Sequence, residues 1–475
     1  MTKANHKLGV LTLTLMSVAA IANLRNLPMM ALQGYGCIWF YLIASLCYFL
    51  PAALICSECA SRPGSSGGLY GWVKLAFGPQ IGFMTMWLAG VLNIAFLPTA
   101  LAYLASTFGQ MLGAEWINNP FSMLIVMLIL LWSLTFINYV GIEGSTRLNR
   151  WALTLGTLIP GAMMIGLALW WVFTGQPLQI SWEASAWVPT MKFDNIVFLV
   201  GVMLAFQGIE MGGYHSEKID NPQTTFAKST FFATIILMVL SVLGSLSIAW
   251  VVPANEINMV QGVMHVLQTY FAAFHLPIGA AVIGVCILMG GMATLSTWIA
   301  GPVKGMQVAA KEGLLPNYFA RVNSKGVPVP LINWQSGIVS GLMVLGTFVM
   351  PNVEGLYWML TILAAQFAFI AYILLFSAAI VIKAKHPRSP GFKIPGGVWG
   401  TGAVGIVGIV TCGFGFFLGF VPPEGFAISP LAFAAELVIA IVALLLPGFW
   451  MIARYNNDSN LPGNDFPDDL ALQNG

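Results

Sequence analysis

Charge is what this chain has least of. Of its 475 residues, 8% are charged and 58% are hydrophobic, whereas a soluble chain carries about 25% charged residues. A soluble domain so poor in charge would expose large apolar patches and aggregate. That excludes an ordinary soluble enzyme and a disordered scaffold. The net charge is only +2, which gives no basic field for nucleic acid. Cysteine and histidine are scarce too, at 6 and 5. Cys37, Cys47, Cys56, Cys59, Cys286 and Cys412 all lie in or beside apolar runs. Cys56 and Cys59 form a C-x-x-C pair, but a redox or metal site needs further ligands nearby. None cluster there, so the pair reads as small buried hydrophobes. The histidines show no metal-ligand spacing. There is no G-x-x-x-x-G-K-[ST] phosphate loop and no nucleophile–base set on the loops. The reading predicts no enzyme, no cofactor and no metal, and leaves a polytopic membrane protein.

Apolar runs are what the chain has in abundance. A run of about 20 residues spans a bilayer as a helix. Twelve such runs stand at 8–33, 36–60, 80–108, 120–142, 151–174, 194–214, 229–253, 277–303, 331–350, 355–383, 398–420 and 429–453. Short Gly/Pro/Asn-rich joints separate them, and no alternating pattern points to a β-barrel. The first run is read as a span and not a cleaved leader, because a second follows almost directly. With both termini placed in the cytoplasm, 17 of the 19 Lys and Arg fall on that side. Lys192 lies outside and Arg25 inside a span. Such a bias sets the orientation by the positive-inside rule.

Two spans are interrupted by polar residues. Span one reads Ile21-Ala22-Asn23-Leu24-Arg25-Asn26-Leu27-Pro28, and span six reads Phe206-Gln207-Gly208-Ile209-Glu210-Met211-Gly212-Gly213-Tyr214. They sit five spans apart, as two repeats of opposite topology would require. Backbone N–H groups freed at such breaks hold a carboxylate, and freed carbonyls hold an ammonium. That equipment suits a zwitterionic amino acid. A basic residue inside a span costs about 2.5–3.5 kcal/mol, so it has a partner or a task. Three readings of Arg25 stand open: an ion pair with Glu210, a fork for a substrate carboxylate, or snorkelling to the outer surface. Glu210 and Glu436 are the acids placed inside spans. Glu210 at its break is a substrate-amine or proton-carrying candidate, and Glu436 a structural or oligomer contact.

Pro63-Gly64-Ser65-Ser66-Gly67-Gly68-Leu69-Tyr70-Gly71-Trp72-Val73, running to Ala76-Phe77-Gly78, resembles the loop after span two in the amino acid–polyamine–organocation (APC) superfamily. Gly208-Ile209-Glu210, followed by Glu217 and Asn221-Pro222, resembles that superfamily's sixth-span signature. Further on, Pro253 to Asn258, Trp298-Ile299-Ala300-Gly301-Pro302, Leu314-Leu315-Pro316, Gly326-Val327-Pro328-Val329, Lys385-His386-Pro387 and Phe392 to Gly397 are similar to bacterial glutamate/γ-aminobutyrate antiporters. The resemblance implies an all-α membrane fold, a LeuT-type 5+5 inverted repeat with helices one and six broken, and alternating access. It implies roles for Glu210, for Trp298 at the substrate path and for Tyr372 on span ten. The chain departs from those antiporters in having Arg25 for a Tyr, Thr294 for a Glu and Ala368 for a Tyr. The first two changes make the site more positive. The superfamily's Gly-Ser-Gly at the first break aligns with Ile21-Ala22-Asn23.

The expected organisation is a first repeat over 1–193, an inverted repeat over 194–390, two further spans over 391–453 and a polar cytoplasmic tail over 454–475. The expected function is exchange of a small amino acid, acidic if Arg25 contributes, for a related amino acid or its decarboxylation product, in a bacterial inner membrane. A proton-coupled symporter through Glu210 and a membrane amino acid sensor are the alternatives. The candidate substrate-binding residues are Ala22, Asn23, Arg25, Asn26, Phe206, Gln207, Gly208, Glu210, Thr294, Trp298 and Tyr372. The expected partners are an amino acid, the lipid bilayer and at most a second copy of the chain.

Overall fold

A computed structural model describes residues 9–62, 68–113, 118–140, 154–188, 193–210, 222–276, 278–349, 353–387, 391–422 and 429–457. The Pro63–Gly67 stretch, Glu217, Asn221, the basic residues Arg147, Arg150, Lys192 and Lys218, and the tail from Asp458 lie outside those residues.

The described residues are helical, with no strand among them. Ten of their helices are long and apolar enough to cross a membrane. They are span two (Gly34–Ala60), three (Pro79–Met111), four (Pro120–Tyr139), five (Thr154–Phe173), seven (Pro222–Ala249), eight (Ile278–Lys311), nine (Val329–Val349), ten (Val353–Lys385), eleven (Gly397–Leu418) and twelve (Pro430–Asn457). The other two expected spans are the broken ones. Span one is a helix over Val10–Ile21, a tight turn over Leu24–Asn26 and a short helix over Leu27–Ala31. Span six runs through Phe198–Ala205 and then leaves the helical ladder. Ten continuous spans and two broken ones make the twelve-span LeuT-type fold.

Apolar packing sets the layers. In span three 89% of the apolar window is buried, against 22% in span twelve, so three is core and twelve lines the periphery. Span three packs against spans eight and ten, span ten against eleven, and span one against seven. A helix over Gly68–Phe77 follows span two and packs on spans three and ten. It is tied to the end of span eight through Glu312, which accepts from Tyr70 Oη (2.5 Å) and Lys74 Nζ (2.8 Å). Burial first, and then Glu312, push the Tyr70 phenol up, so it stays protonated and keeps donating.

One buried acid was not among the expected ones. Glu58 in span two is 2% exposed, as is Lys383 in span ten, and the two form an ion pair. Thr401 of span eleven donates to Glu58 (2.7 Å), and Arg62 lies 3.7 Å from it. Lys383, expected merely to mark orientation, is a buried structural cation.

Candidate functional site

The break in span one begins at Ala22, the last residue whose N–H reaches back into the first helix, to Val18 O (2.7 Å). Ala22 and Asn23 are both extended. Asn23 caps the turn that follows, its Oδ1 accepting from Arg25 N (2.9 Å). The side chain thus does for one freed amide what the helix no longer does.

Arg25 is 2% exposed, which rules out snorkelling. Its Nη1 donates to Thr99 Oγ1 on span three, and that hydroxyl donates onward to Phe96 O (2.6 Å). The guanidinium lies over the Phe96 ring at 4.5 Å and the Tyr357 ring at 5.8 Å. Among the described residues no carboxylate lies within ion-pair distance of it. The ion pair with Glu210 therefore does not form here. A hydrogen bond to a charged group is worth about 1.5–3 kcal/mol and a ring face about 0.5–2 kcal/mol. Together these roughly offset the cost of placing Arg25 in the span, without supplying a counter-charge.

A chamber of about 40 Å³ opens beside Arg25. Its walls are the span-one break (Ala22, Asn23, Arg25), span three (Phe96, Tyr103), span five (Gly156, Thr157) and span eight (Thr294). A single water needs about 10–15 Å³, so the chamber holds a small polar group but not a whole amino acid. Thr157 reaches it from a π-helical stretch, Thr154–Leu158, in span five. Such stretches recur at functional sites because the widened turn re-aims side chains.

Span six breaks differently. Gly208 has φ +120°, a conformation that L side chains rarely adopt, so glycine is required there. Its N–H donates to Glu210 Oε2 (3.2 Å). Tyr372 Oη of span ten also donates to that oxygen. Glu210 therefore folds back over its own break and is held by spans six and ten. Tyr48 stacks on Tyr372 with ring centroids 5.2 Å apart. It too sits on a π-helical stretch, Ser45–Phe49 of span two.

The expected residues thus divide among neighbouring places. Ala22, Asn23, Arg25 and Thr294 line the Arg25 chamber. Asn26 and Phe206 line a smaller void of about 10 Å³ on the far side of the span-one break, with Tyr41 and Ser241. Gly208, Glu210 and Tyr372 form the third group, and Gln207 lies buried at that break. Trp298 does not border the chamber; it packs on Phe96, 5.2 Å between centroids, and so backs the ring beneath Arg25. Its carbonyl accepts from Asn93 Nδ2 (2.7 Å). Pro302, four residues on, has no N–H to give that carbonyl, and Asn93 takes its place. Thr99, Phe96, Tyr103, Tyr357, Thr157 and Tyr48 were not among the expected residues. Pro98 inside span three was the available signal for the first two, since it marks a helix segment with freed backbone beside them.

Comparison with known proteins agrees with this architecture. A family model described as amino acid permease matches residues 8–444. An uncharacterized transporter of Legionella pneumophila is 32% identical over 96% of this chain and 99% of its own length. A glutamate/γ-aminobutyrate antiporter of Lactococcus lactis strain IL1403 is 27% identical over 87% of this chain and 83% of its own. A solved manganese transporter of Eremococcus coleocola superposes with a TM-score of 0.59 at 11% identity, covering 94% of each chain, and supports the fold alone. With twelve spans, two of them broken around buried polar side chains, and a family match over most of its length, the chain is a membrane transporter and belongs to the amino acid permease family.

Proposed function

We propose that the protein exchanges one small amino acid for a related amino acid, or for its decarboxylation product, by alternating access. The observation that carries this reading is the pair of breaks five spans apart, each bordered by buried polar groups. The α-carboxylate would meet backbone N–H groups at the span-one break near Ala22 and Asn23, beside the amide that Asn23 already caps. The ammonium would meet the carbonyls freed near Gln207 and Gly208. Trp298 and the Glu210–Tyr372 contact would close the site from either side. The first repeat is assigned to 1–193 and the inverted one to 194–390. The protein would sit in a bacterial inner membrane, and the basic-residue bias supports an orientation with both termini in the cytoplasm. The antiporter names borne by the Lactococcus relatives support exchange.

A second reading, proton-coupled symport, is favoured by one observation. Glu210 is buried with a hydroxyl and an amide for partners and no cation among the described residues. Such a carboxyl is a candidate proton carrier. One experiment separates the readings. Purified protein in liposomes is given labelled amino acid with and without internal unlabelled amino acid, and with and without a pH gradient. Exchange predicts uptake that needs internal counter-substrate and persists in Glu210→Gln. Uptake that needs only the gradient, and is lost in Glu210→Gln, overturns exchange in favour of symport.

A further inference from the structure

Two residues that line the Arg25 chamber each carry a polar atom with no protein partner among the described residues. Arg25 Nε and Tyr103 Oη are both buried, and neither has a hydrogen-bond partner among the described residues. Buried polar groups are nearly always satisfied, so each exception asks for an explanation. Here two belong to residues that line one chamber, from spans one and three. Nε–H only donates, and a phenol donates readily, so a group that satisfies both is an acceptor. The guanidinium also brings a full positive charge into a wall otherwise made of Asn, Thr, Tyr and apolar residues. Thr99 and the two rings offset its burial but leave the charge unneutralised, so an anion entering the chamber gains a full ion pair. The group that suits these residues is therefore both an acceptor and an anion, no larger than a chamber of about 40 Å³ admits.

We propose that this chamber is a subsite for the side-chain carboxylate of a dicarboxylic amino acid, received by Arg25 Nε and Tyr103 Oη. The assignment rests on the amino acid exchange reading and adds a second anchor to it. The chamber begins at Ala22 and Asn23, so a substrate whose α-carboxylate sits at the break extends its side chain into it. Thr157 and Thr294 supply further hydroxyls at the rim. Thr99, Phe96 and Tyr357 hold the guanidinium in place at the chamber wall. A counter-substrate that has lost its α-carboxylate but kept the side-chain one remains a ligand of Arg25. The same residues discriminate against the side-chain amide, which would bring donors to face donors.

The test compares isosteres. Counterflow in liposomes is measured with labelled glutamate and aspartate and with glutamine and asparagine, for the wild type, Arg25→Gln and Tyr103→Phe. The acids are expected to show KM values at least about tenfold below their amides, equivalent to ~1.4 kcal/mol. Arg25→Gln should abolish or invert that ratio. Tyr103→Phe, which removes one oxygen and keeps the ring, should raise KM for the acids several-fold and leave the amides unchanged. This variant carries the test if Arg25→Gln does not fold. Amides exchanged as well as acids by the wild type would overturn the subsite and leave the exchange reading intact, as would a preference for acids that survives in both variants. An Arg25-dependent rise in melting temperature with chloride but not with glutamate would also overturn it, assigning the chamber to an inorganic anion. Exchange of no amino acid at all would instead refute the reading on which the subsite rests.

Discussion

Asn93 is buried in the middle of span three for a reason supplied by another helix. Pro302 frees the Trp298 carbonyl, and Asn93 Nδ2 answers it while also reaching Gln335 Oε1 (3.3 Å). Asn93→Leu keeps the volume roughly and strands the carbonyl, so it is expected to cost about 1–3 kcal/mol, read as a lowered unfolding temperature in detergent. Asn93→Gln should recover part of it. At this scale the sequence was legible where a residue is expensive in a membrane: Arg25 and Glu210 stood out because each costs energy in a span. Their partners did not stand out. Thr99, Phe96 and Tyr357 are ordinary span residues whose meaning comes only from the fold. Glu58 escaped notice because it lies at the end of its apolar run, four residues before Arg62, where a charge reads as belonging to the interface.

Among elements, the two breaks were legible and the two π-helical stretches were not. A break announces itself by polar and Gly/Pro residues inside an apolar run, as at Asn23 and Gly208. A π turn inserts one residue and needs no particular composition, so the Thr and Gly of Thr154–Leu158 and the Ser of Ser45–Phe49 read as ordinary small residues of a span. The second of these lets spans five and eight approach backbone to backbone. A Cβ added at Gly156 would lie 2.1 Å from Gly290 Cα, and backbone cannot give way as a flexible side chain does. Gly156→Ala is therefore expected to separate the two spans at the chamber wall, costing about 1–3 kcal/mol or more. A fall in thermal stability together with impaired exchange would show it. Gly166, on the same span with nothing within 4 Å of its added Cβ, is the control. Gly166→Ala should be neutral or slightly stabilising, by up to about 1 kcal/mol.

For the whole molecule, span number and repeat spacing followed from apolar length and the position of the breaks, whereas the packing order did not. Which spans meet is decided by long-range contacts, and the Glu58–Lys383 pair is the clearest of them. It ties span two to spans ten and eleven through one buried carboxylate. Removing one partner leaves a charge with too little compensation, so Glu58→Gln or Lys383→Met is expected to cost about 3–5 kcal/mol. Replacing both with apolar residues should cost much less, because a buried pair is often no better than well-packed hydrophobes. A double-mutant cycle on thermal unfolding measures the difference, and additive single and double effects would refute the coupling.

The same pair sets an order on biogenesis. Glu58 and Lys383 are 325 residues apart, so span two enters the membrane long before its main counter-charge has been synthesised. Through that interval the acid has Arg62, one turn further along its own helix, as the cation its own segment supplies. Span two is thus inserted with a provisional neutraliser and receives the permanent one only when span ten arrives. A chain that stops short of span ten keeps Glu58 paired with Arg62 alone, so the tie between span two and spans ten and eleven is one of the last contacts the fold can make.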